Sequence, residues 1–371
     1  MTKTQEQFFE LVKAGMWGTI PDIAMFDNDI DWSSIYHDSR AQALTAIVLD
    51  GIQLLPETVR PPLPLYLKWC AEALTVEDDN EKLNKEITTL FGILESEDIQ
   101  PVLLKGQGLA LNYPNPLHRQ SGDIDIYIGE ANFDRVNRIL ERDGQEISET
   151  SAKHSTYRWH DVDIENHRIL THMAAPKANR MLQRWITTWF GNKDFKHSEI
   201  DGTPINTPPI EFEIVYVLHH AAQHLVELGL GLRQVCDWAM LLHRYNGKYD
   251  KCKVALQLES LHLSKVARVF EAICVDYLGM PQEDILLAYD RKDQTDSEWV
   301  IRDILKSGNF GQWSSARLDK PKGYWRGKWH TFTTVTKRSR QLRNILPVEA
   351  RWAAIEVILN TLKAQLYKLR N

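Results

Sequence analysis

Residues 103–128 read LLKGQGLALNYPNPLHRQSGDIDIYI, and the last seven decide the fold. Asp123 and Asp125 alternate with Ile124, Ile126 and Ile128, the period-two pattern of a strand with one apolar and one polar face. A lone carboxylate inside a core is costly. On a strand that cost is avoided, because the isoleucines enter the core while both aspartates point the other way. The strand rise sets the two acids about 6.6–6.8 Å apart along one face. A hard cation such as Mg²⁺, shared with nucleotide phosphates, fits that spacing. A pair of such ions can activate an attacking hydroxyl and neutralise a phosphate leaving group.

Upstream, IQPVLLKG reads as a short apolar strand ending in Gly106, GQGLALNYP as a helix that stops before Pro114, and NPLHRQSG as a loop. A strand that turns at a glycine into a helix presents backbone N–H groups where a phosphate is stabilised. Lys105 would add a point charge there and Arg119 a bidentate one. GxxxxGK[ST] is absent, so the turn is not a P-loop. GQG is equally explained as a tight turn.

Downstream, ANFDRVNRILERDG reads as a helix closed by Gly144. SAKHSTYRWH (151–160) and DVDIENHRIL (161–170) are strand candidates close enough to pair as a hairpin. In the second, Asp161, Asp163, Glu165 and His167 share one face and Val162 and Ile164 the other. A half-exposed sheet with an acidic outer face gives the same pattern. Two such strands beside a glycine turn favour a metal site.

These elements predict an α+β protein. A small mixed sheet with α/β connections covers residues 99–205, between helical regions at 1–98 and 206–371. The first helical region contains DWSSIYHDSRAQALTAIVLDGIQLL, periodic from Asp31 as a possible N-cap, then the break PETVRPPLP, then one long helix or two ending near 98. After Pro208, IEFEIVYVLHHAAQHLVE, GLRQVCDWAMLLHRY and SKVARVFEAICVDYLGM keep a period near 3.6, and VEARWAAIEVILNTLKAQLYKLR closes the chain as an amphipathic helix.

The 371 residues are 43% hydrophobic and 25% charged, ordinary for a globular chain with a sizeable core. A formal net charge of −6 gives no global pull toward nucleic acid or an anionic membrane. No stretch reaches the roughly 18 apolar residues that span a bilayer. The start, MTKTQEQFFELVKAGMW, reads as an amphipathic helix rather than a leader. Cys70, Cys236, Cys252 and Cys274 are scattered without CxxC spacing, as expected of reduced thiols with Cys236 and Cys274 packed in helices. The expected location is cytoplasmic.

Together, Lys105-Gly106, Tyr113-Pro114, Arg119, Asp123-Ile124-Asp125, Glu165-Asn166-His167 and LHHAAQHLVELGLGLRQVCDWAMLL resemble a known pattern. It is that of the polymerase-beta nucleotidyltransferase superfamily and, more narrowly, of a large bacterial family of uncharacterised nucleotidyltransferases. The resemblance covers about 90–245, and the N-terminal helices more loosely. It implies transfer of a nucleoside monophosphate from an NTP such as ATP to an acceptor hydroxyl or amine, with release of pyrophosphate. Asp123 and Asp125 would bind the catalytic Mg²⁺ or Mn²⁺. Glu165 would bind metal and help deprotonate the acceptor, with Asp163 as the alternative. Gly106 and its turn would hold the triphosphate. The superfamily usually has Gly-Ser or Gly-Gly at this turn and a shorter run to the first aspartate. Here it reads Lys105-Gly106-Gln107, which removes a phosphate-contacting hydroxyl and leaves Lys105 as the expected holder of the nucleotide.

His220 and His224 have the i, i+4 spacing of a zinc pair, but HHAAQH lacks the glutamate that a zincin motif places after its first histidine. They are expected to face the cleft beside Arg233 and Asp237 and to touch phosphate or acceptor, as His154 and His167 could from the hairpin. Residues 306–343 hold ten Lys/Arg and one acid, a net +9, interleaved with Trp313, Trp325 and Trp329. Such a mixture can bind nucleic acid by phosphate contact and base stacking. The plainer expectation is a loop whose tryptophans dock on the core while its charges face water. The leading expectation is therefore a metal-dependent nucleotidyltransferase with an unidentified small-molecule, sugar or protein acceptor. A nucleic-acid acceptor is the alternative within the fold, and a catalytically silent nucleotide-binding or interaction module the alternative outside catalysis.

Overall fold

The computed structural model describes residues 1–27, 30–142, 146–150, 153–227, 229–309, 323–353, 355 and 357. Gly144, residues 310–322 of the basic tryptophan-rich segment (Trp313 included) and the greater part of the final helix lie outside the described residues. The segment expected as a loop with docked tryptophans is instead helical over Tyr324–Leu342, and Trp329 there is 68% exposed. The protein is α+β, with a five-stranded and a two-stranded sheet among its helices. It divides into two compact units. The first contains Met1–Arg40, Leu44–Thr171 and Trp185–Glu213, and the second Ala41–Ala43, His172–Arg184 and the chain from Ile214 on. Among the described residues, no helix is long and apolar enough to cross a membrane.

The first unit opens with α1 (Lys3–Trp17), started by a Thr2–Gln5 capping box. The periodic stretch expected as one helix from Asp31 is two, α2 (Trp32–Ala41) and α3 (Thr45–Gln53). Asp31 does cap the first, accepting from the Ser34 N–H at 3.0 Å. The break has a tertiary cause. Ala43 takes φ 54°, and the Gln42 side chain bonds the Ile304 carbonyl and the Leu232 N–H instead of facing solvent along a continuous helix. The stretch expected as one long helix or two is a single 34-residue helix, α4 (Leu63–Ser96), with Pro62 as its N-cap.

Five strands follow: β1 (Val102–Leu104), β2 (Asp123–Tyr127), β3 (Glu146–Thr150), β4 (His154–Trp159) and β5 (Val162–His167). Their order is β1-β2-β5-β4-β3. β2 and β5 are parallel, and the other pairs are antiparallel. The short α5 (Gly106–Ala110) links β1 toward β2, and α6 (Glu130–Arg142) crosses from β2 toward β3. Ile124, Ile126, Ile128, Tyr157 and Ile164 enter one buried cluster with Leu83, Ile87, Leu90 and Phe91 of α4 and Val136 and Leu140 of α6. Full burial of each such aliphatic side chain is worth about 1.5–3 kcal/mol, and that fixes which face of β2 and β5 points away from the core.

Helix α7 (Pro176–Gly191) and the hairpin β6 (Lys196–Ile200) and β7 (Thr203–Thr207) come next. The hairpin turns on Asp201-Gly202, both at positive φ, the backbone that a two-residue turn of this kind demands. Among the described residues, the longer helices that follow are α8 (Ile210–Glu227), α9 (Leu232–Arg244), α10 (Lys251–Ser260), α11 (Ser264–Asp276), α12 (Arg291–Ser307) and α13 (Tyr324–Leu342). From Ile214 onward they form the bulk of the second unit, where Cys236 and Cys274 are buried free thiols.

Candidate active site

The parallel pairing of β2 and β5 assembles the site. Its register sets Asp123 opposite Asp163, Asp125 opposite Glu165 and Tyr127 opposite His167. Neighbouring strands lie about 4.8 Å apart, so the face turned away from the isoleucines carries acids from two strands side by side. Asp123, Asp125 and Glu165 each present an oxygen within 4.8 Å of the other two. Asp125 is only 2% exposed, whereas Asp123 and Glu165 are partly open.

A buried carboxylate needs partners, and Asp125 Oδ1 has two. Lys105 Nζ lies 3.1 Å away and His167 donates from Nε2 at 2.7 Å. Burial by itself would raise the Asp125 carboxyl, but the Lys105 ammonium and the His167 bond outweigh it and hold the group far below the usual carboxylate range. His167 shows the same contest. Burial lowers it, while its bonds to Asp125 and to Glu165 (Oε2 at 3.4 Å) win and raise it.

Lys105 is aimed by an unusual backbone. It takes φ 48° and ψ −137°, outside ordinary L-residue space, and Gly106 follows at φ 40°. Such a conformation costs on the order of 1–3 kcal/mol and persists where surrounding contacts hold it, commonly at functional turns. Gln107 sits in the first turn of α5 with its amide spent on α4. Its Nε2 donates to Asn84 Oδ1 at 2.8 Å and to the Asn80 carbonyl at 3.3 Å. Asn80 in turn donates to the carbonyls of Leu117 and Arg119. The loop before β2 is held a second time, because His118 bonds Asp50 at 2.7 Å through Nδ1 and Glu77 at 2.6 Å through Nε2. Arg119 is buried and donates to Ser121 Oγ at 2.7 Å.

The structure thus gathers Lys105, Asp123, Asp125, Glu165 and His167, with His154 next to Glu165 (4.0 Å) on β4. Asp163 is on the same strand face but pairs with Arg158 at 3.0 Å, half exposed. His220, His224, Arg233 and Asp237 belong to the second unit. There His220 and His224 contact each other, Nε2 to Nε2, at 3.1 Å, and Arg233 and Asp237 are buried on α9. Among the described residues, neither histidine joins a group of three metal-capable donors. Sequence reasoning missed Asn80, Asn84, Asp50 and Glu77, because these supports lie on helices far upstream and carry no local motif.

A family model described as uncharacterised nucleotidyltransferase matches residues 28–279, two thirds of the chain and the whole of the site. The chain belongs to the uncharacterised nucleotidyltransferase family. This nucleotidyltransferase-family chain is similar in structure to an antigenic nucleotidyltransferase-like protein from Paracoccidioides brasiliensis. That similarity runs at 13% identity and a TM-score of 0.35 over 54% of this chain and 93% of the other. No curated protein matches the sequence.

Proposed function

We propose that the protein is a metal-dependent nucleotidyltransferase, moving a nucleoside monophosphate from an NTP to a hydroxyl or amine of a small-molecule, sugar or protein acceptor. The observation that carries this reading is the convergence of Asp123, Asp125 and Glu165 from two parallel strands, their oxygens within 4.8 Å of one another, in a chain of this family. Three carboxylate oxygens form the donor set of a hard divalent cation, so the residues fit Mg²⁺ or Mn²⁺. Such an ion, when bound, neutralises phosphate charge and activates the acceptor oxygen.

The chain's own residues supply the rest. Lys105, 3.1 Å from Asp125, exchanges the carboxylate for the triphosphate and so supplies a phosphate contact in place of the missing turn serine hydroxyl. Glu165, partly open and paired with His167, takes the acceptor proton as the acceptor attacks the α-phosphorus. The bond to the β-phosphate oxygen breaks and pyrophosphate leaves. Asp163 is less available for this role, its carboxylate being paired with Arg158.

The test is incubation of the purified chain with labelled NTPs, Mg²⁺ or Mn²⁺, and cell extract. Label transfer that disappears in Asp123→Ala and Asp125→Ala is the expected result. No transfer from any NTP, with NTP binding indifferent to both substitutions, would sink the reading. The second reading, a silent nucleotide-binding module, draws support from Lys105, whose ammonium is paired with Asp125. Its signature is NTP binding that needs Lys105 and no transfer.

A further inference from the structure

Glu165 belongs to two donor groups at once. One is the carboxylate group with Asp123 and Asp125, straddling β2 and β5. The other is His154, Glu165 and His167, straddling β5 and β4, again with one ligand atom from each residue within 4.8 Å of the others. The second group also follows from register. His154 is directly opposite His167 on the antiparallel partner, and Glu165 is two residues from His167 on the same strand face. The two imidazole rings are 5.5 Å apart and tilted.

We infer that His154, Glu165 and His167 form a binding site for a first-row transition-metal dication, distinct from the three-carboxylate site and joined to it through Glu165. The chemistry of the donors sets the class of ion. Imidazole nitrogen favours Zn²⁺, Co²⁺ and their neighbours, whereas an all-oxygen set suits Mg²⁺ or Mn²⁺. Two histidines and one glutamate also form the donor set of catalytic zinc sites that keep a position open.

The distances fit this class. Ligand atoms about 2.0–2.1 Å from a tetrahedral ion are about 3.3 Å from each other. His167 Nε2 is already 3.4 Å from Glu165 Oε2, and His154 Nε2 is 4.0 Å from Glu165 Oε1, too long for a hydrogen bond and a small rotation short of a shared ion.

Filling this site changes the other. His167 uses the same Nε2 for Asp125 that it would use for the ion. Ligation therefore replaces the His167–Asp125 bond and frees Asp125 Oδ1 of one of its two donors. The transition ion and the carboxylate-bound ion are then coupled through two residues, Glu165 and Asp125. The inference rests on the nucleotidyltransferase reading only for the use of the second ion, not for its binding.

The test uses the purified 371-residue chain with Co²⁺ as the probe, in a His220→Asn background that removes the His220–His224 pair of α8 as a competing site. The expected result is one equivalent of Co²⁺, seen by its visible absorption and retained against about a thousandfold excess of Mg²⁺. His154→Asn should weaken it by more than about tenfold, while Asp123→Asn leaves it bound. Equal Co²⁺ affinity with and without His154, or complete displacement by that Mg²⁺ excess, would overturn the inference. If His154→Asn does not fold, the same background protein loaded with one equivalent of Cu²⁺ decides it. Pulsed EPR should then show two coordinated imidazole nitrogens, and one or none would refute the site. Label transfer is not part of this readout. A His154-dependent ion without transfer removes only the catalytic reading, and Asp123-dependent transfer without such an ion removes only this inference.

Discussion

Lys105 Nζ rests 3.1 Å from Asp125 Oδ1, so an ammonium is paired with a carboxylate that a divalent cation would also take. Asp125 is buried, and a buried carboxylate stripped of one partner costs about 3 kcal/mol, with His167 still in place. Lys105→Met should therefore lower unfolding free energy by about 3 kcal/mol in the absence of divalent ions. Mg²⁺ should restore more stability to this variant than to the wild type, because no ammonium competes and an ion that binds only the folded state stabilises it. Denaturant unfolding with and without Mg²⁺ measures both; equal Mg²⁺ stabilisation in the two proteins would show that lysine and ion do not compete.

Gln107 is a structural residue in this geometry. Its amide holds α5 to α4 through Asn84 and the Asn80 carbonyl. Gln107→Ala should cost about 1–3 kcal/mol, since it strands Asn84 Oδ1 and leaves a cavity. Gln107→Ser, which restores the more usual residue at the turn, should cost a similar amount. Stability within about 0.5 kcal/mol of wild type in both variants would contradict this role.

His118 predicts a pH dependence of the first unit. Burial lowers the imidazole, but Asp50 and Glu77, bonded at its two nitrogens, outweigh burial and raise it above its ordinary 6.5. The stabilisation is therefore complete below about 6.5 and is lost as pH rises through the higher folded value. Thermal unfolding at pH 6 and pH 9 should show His118→Gln to be destabilising at pH 6 and much less so at pH 9. A deficit that stays constant across that range would exclude the charged imidazole.

Glu271 gives the second unit its own dependence. Burial pushes its carboxyl up to about 8, against the pull of the Leu286 and Leu287 N–H groups that bond Oε1. The folded chain favours the protonated acid, so stability is full below pH 4.5, the ordinary value, and falls as pH rises toward 8. Glu271→Gln should flatten this decline between pH 5 and 9 in calorimetric scans. A variant as pH-sensitive as the wild type would assign the decline elsewhere.

Much of the candidate site's geometry was legible because its signal is local. Asp123 and Asp125 among isoleucines, and Asp163, Glu165 and His167 opposite Val162 and Ile164, are period-two patterns within single strands. The partners that orient them are not local. Asn84 is 23 residues from Gln107, Asp50 is 68 from His118, and neither spacing marks a contact. The break between α2 and α3 was hidden for the same reason, being set by Gln42 bonds to Leu232 and Ile304. β3, α7 and the β6–β7 hairpin were unforeseen for different reasons. The EISET run of β3 has no alternating apolar face. α7 did have a signal, Ala178, Leu182, Ile186 and Trp189 spaced four, four and three apart behind Pro176, and it was passed over. The hairpin did have a signal, the Asp201-Gly202 pair, set between strands too polar to draw notice.

Helix α4 has a consequence for how the protein can be divided. From one row three and four residues apart it presents Glu77 to His118, Asn80 to the Leu117–Arg119 backbone and Asn84 to Gln107, and from another side it presents Glu86 to Trp159 and His160 at the tip of the β4–β5 hairpin. Interleaved with these, Leu83, Ile87 and Leu90 fill the space beneath β2 and β5. The helix works as a template that indexes the lysine turn, the aspartate strand and the glutamate hairpin against one another. A fragment begun at residue 99 would keep every candidate ligand and lose the jig that brings them into alignment.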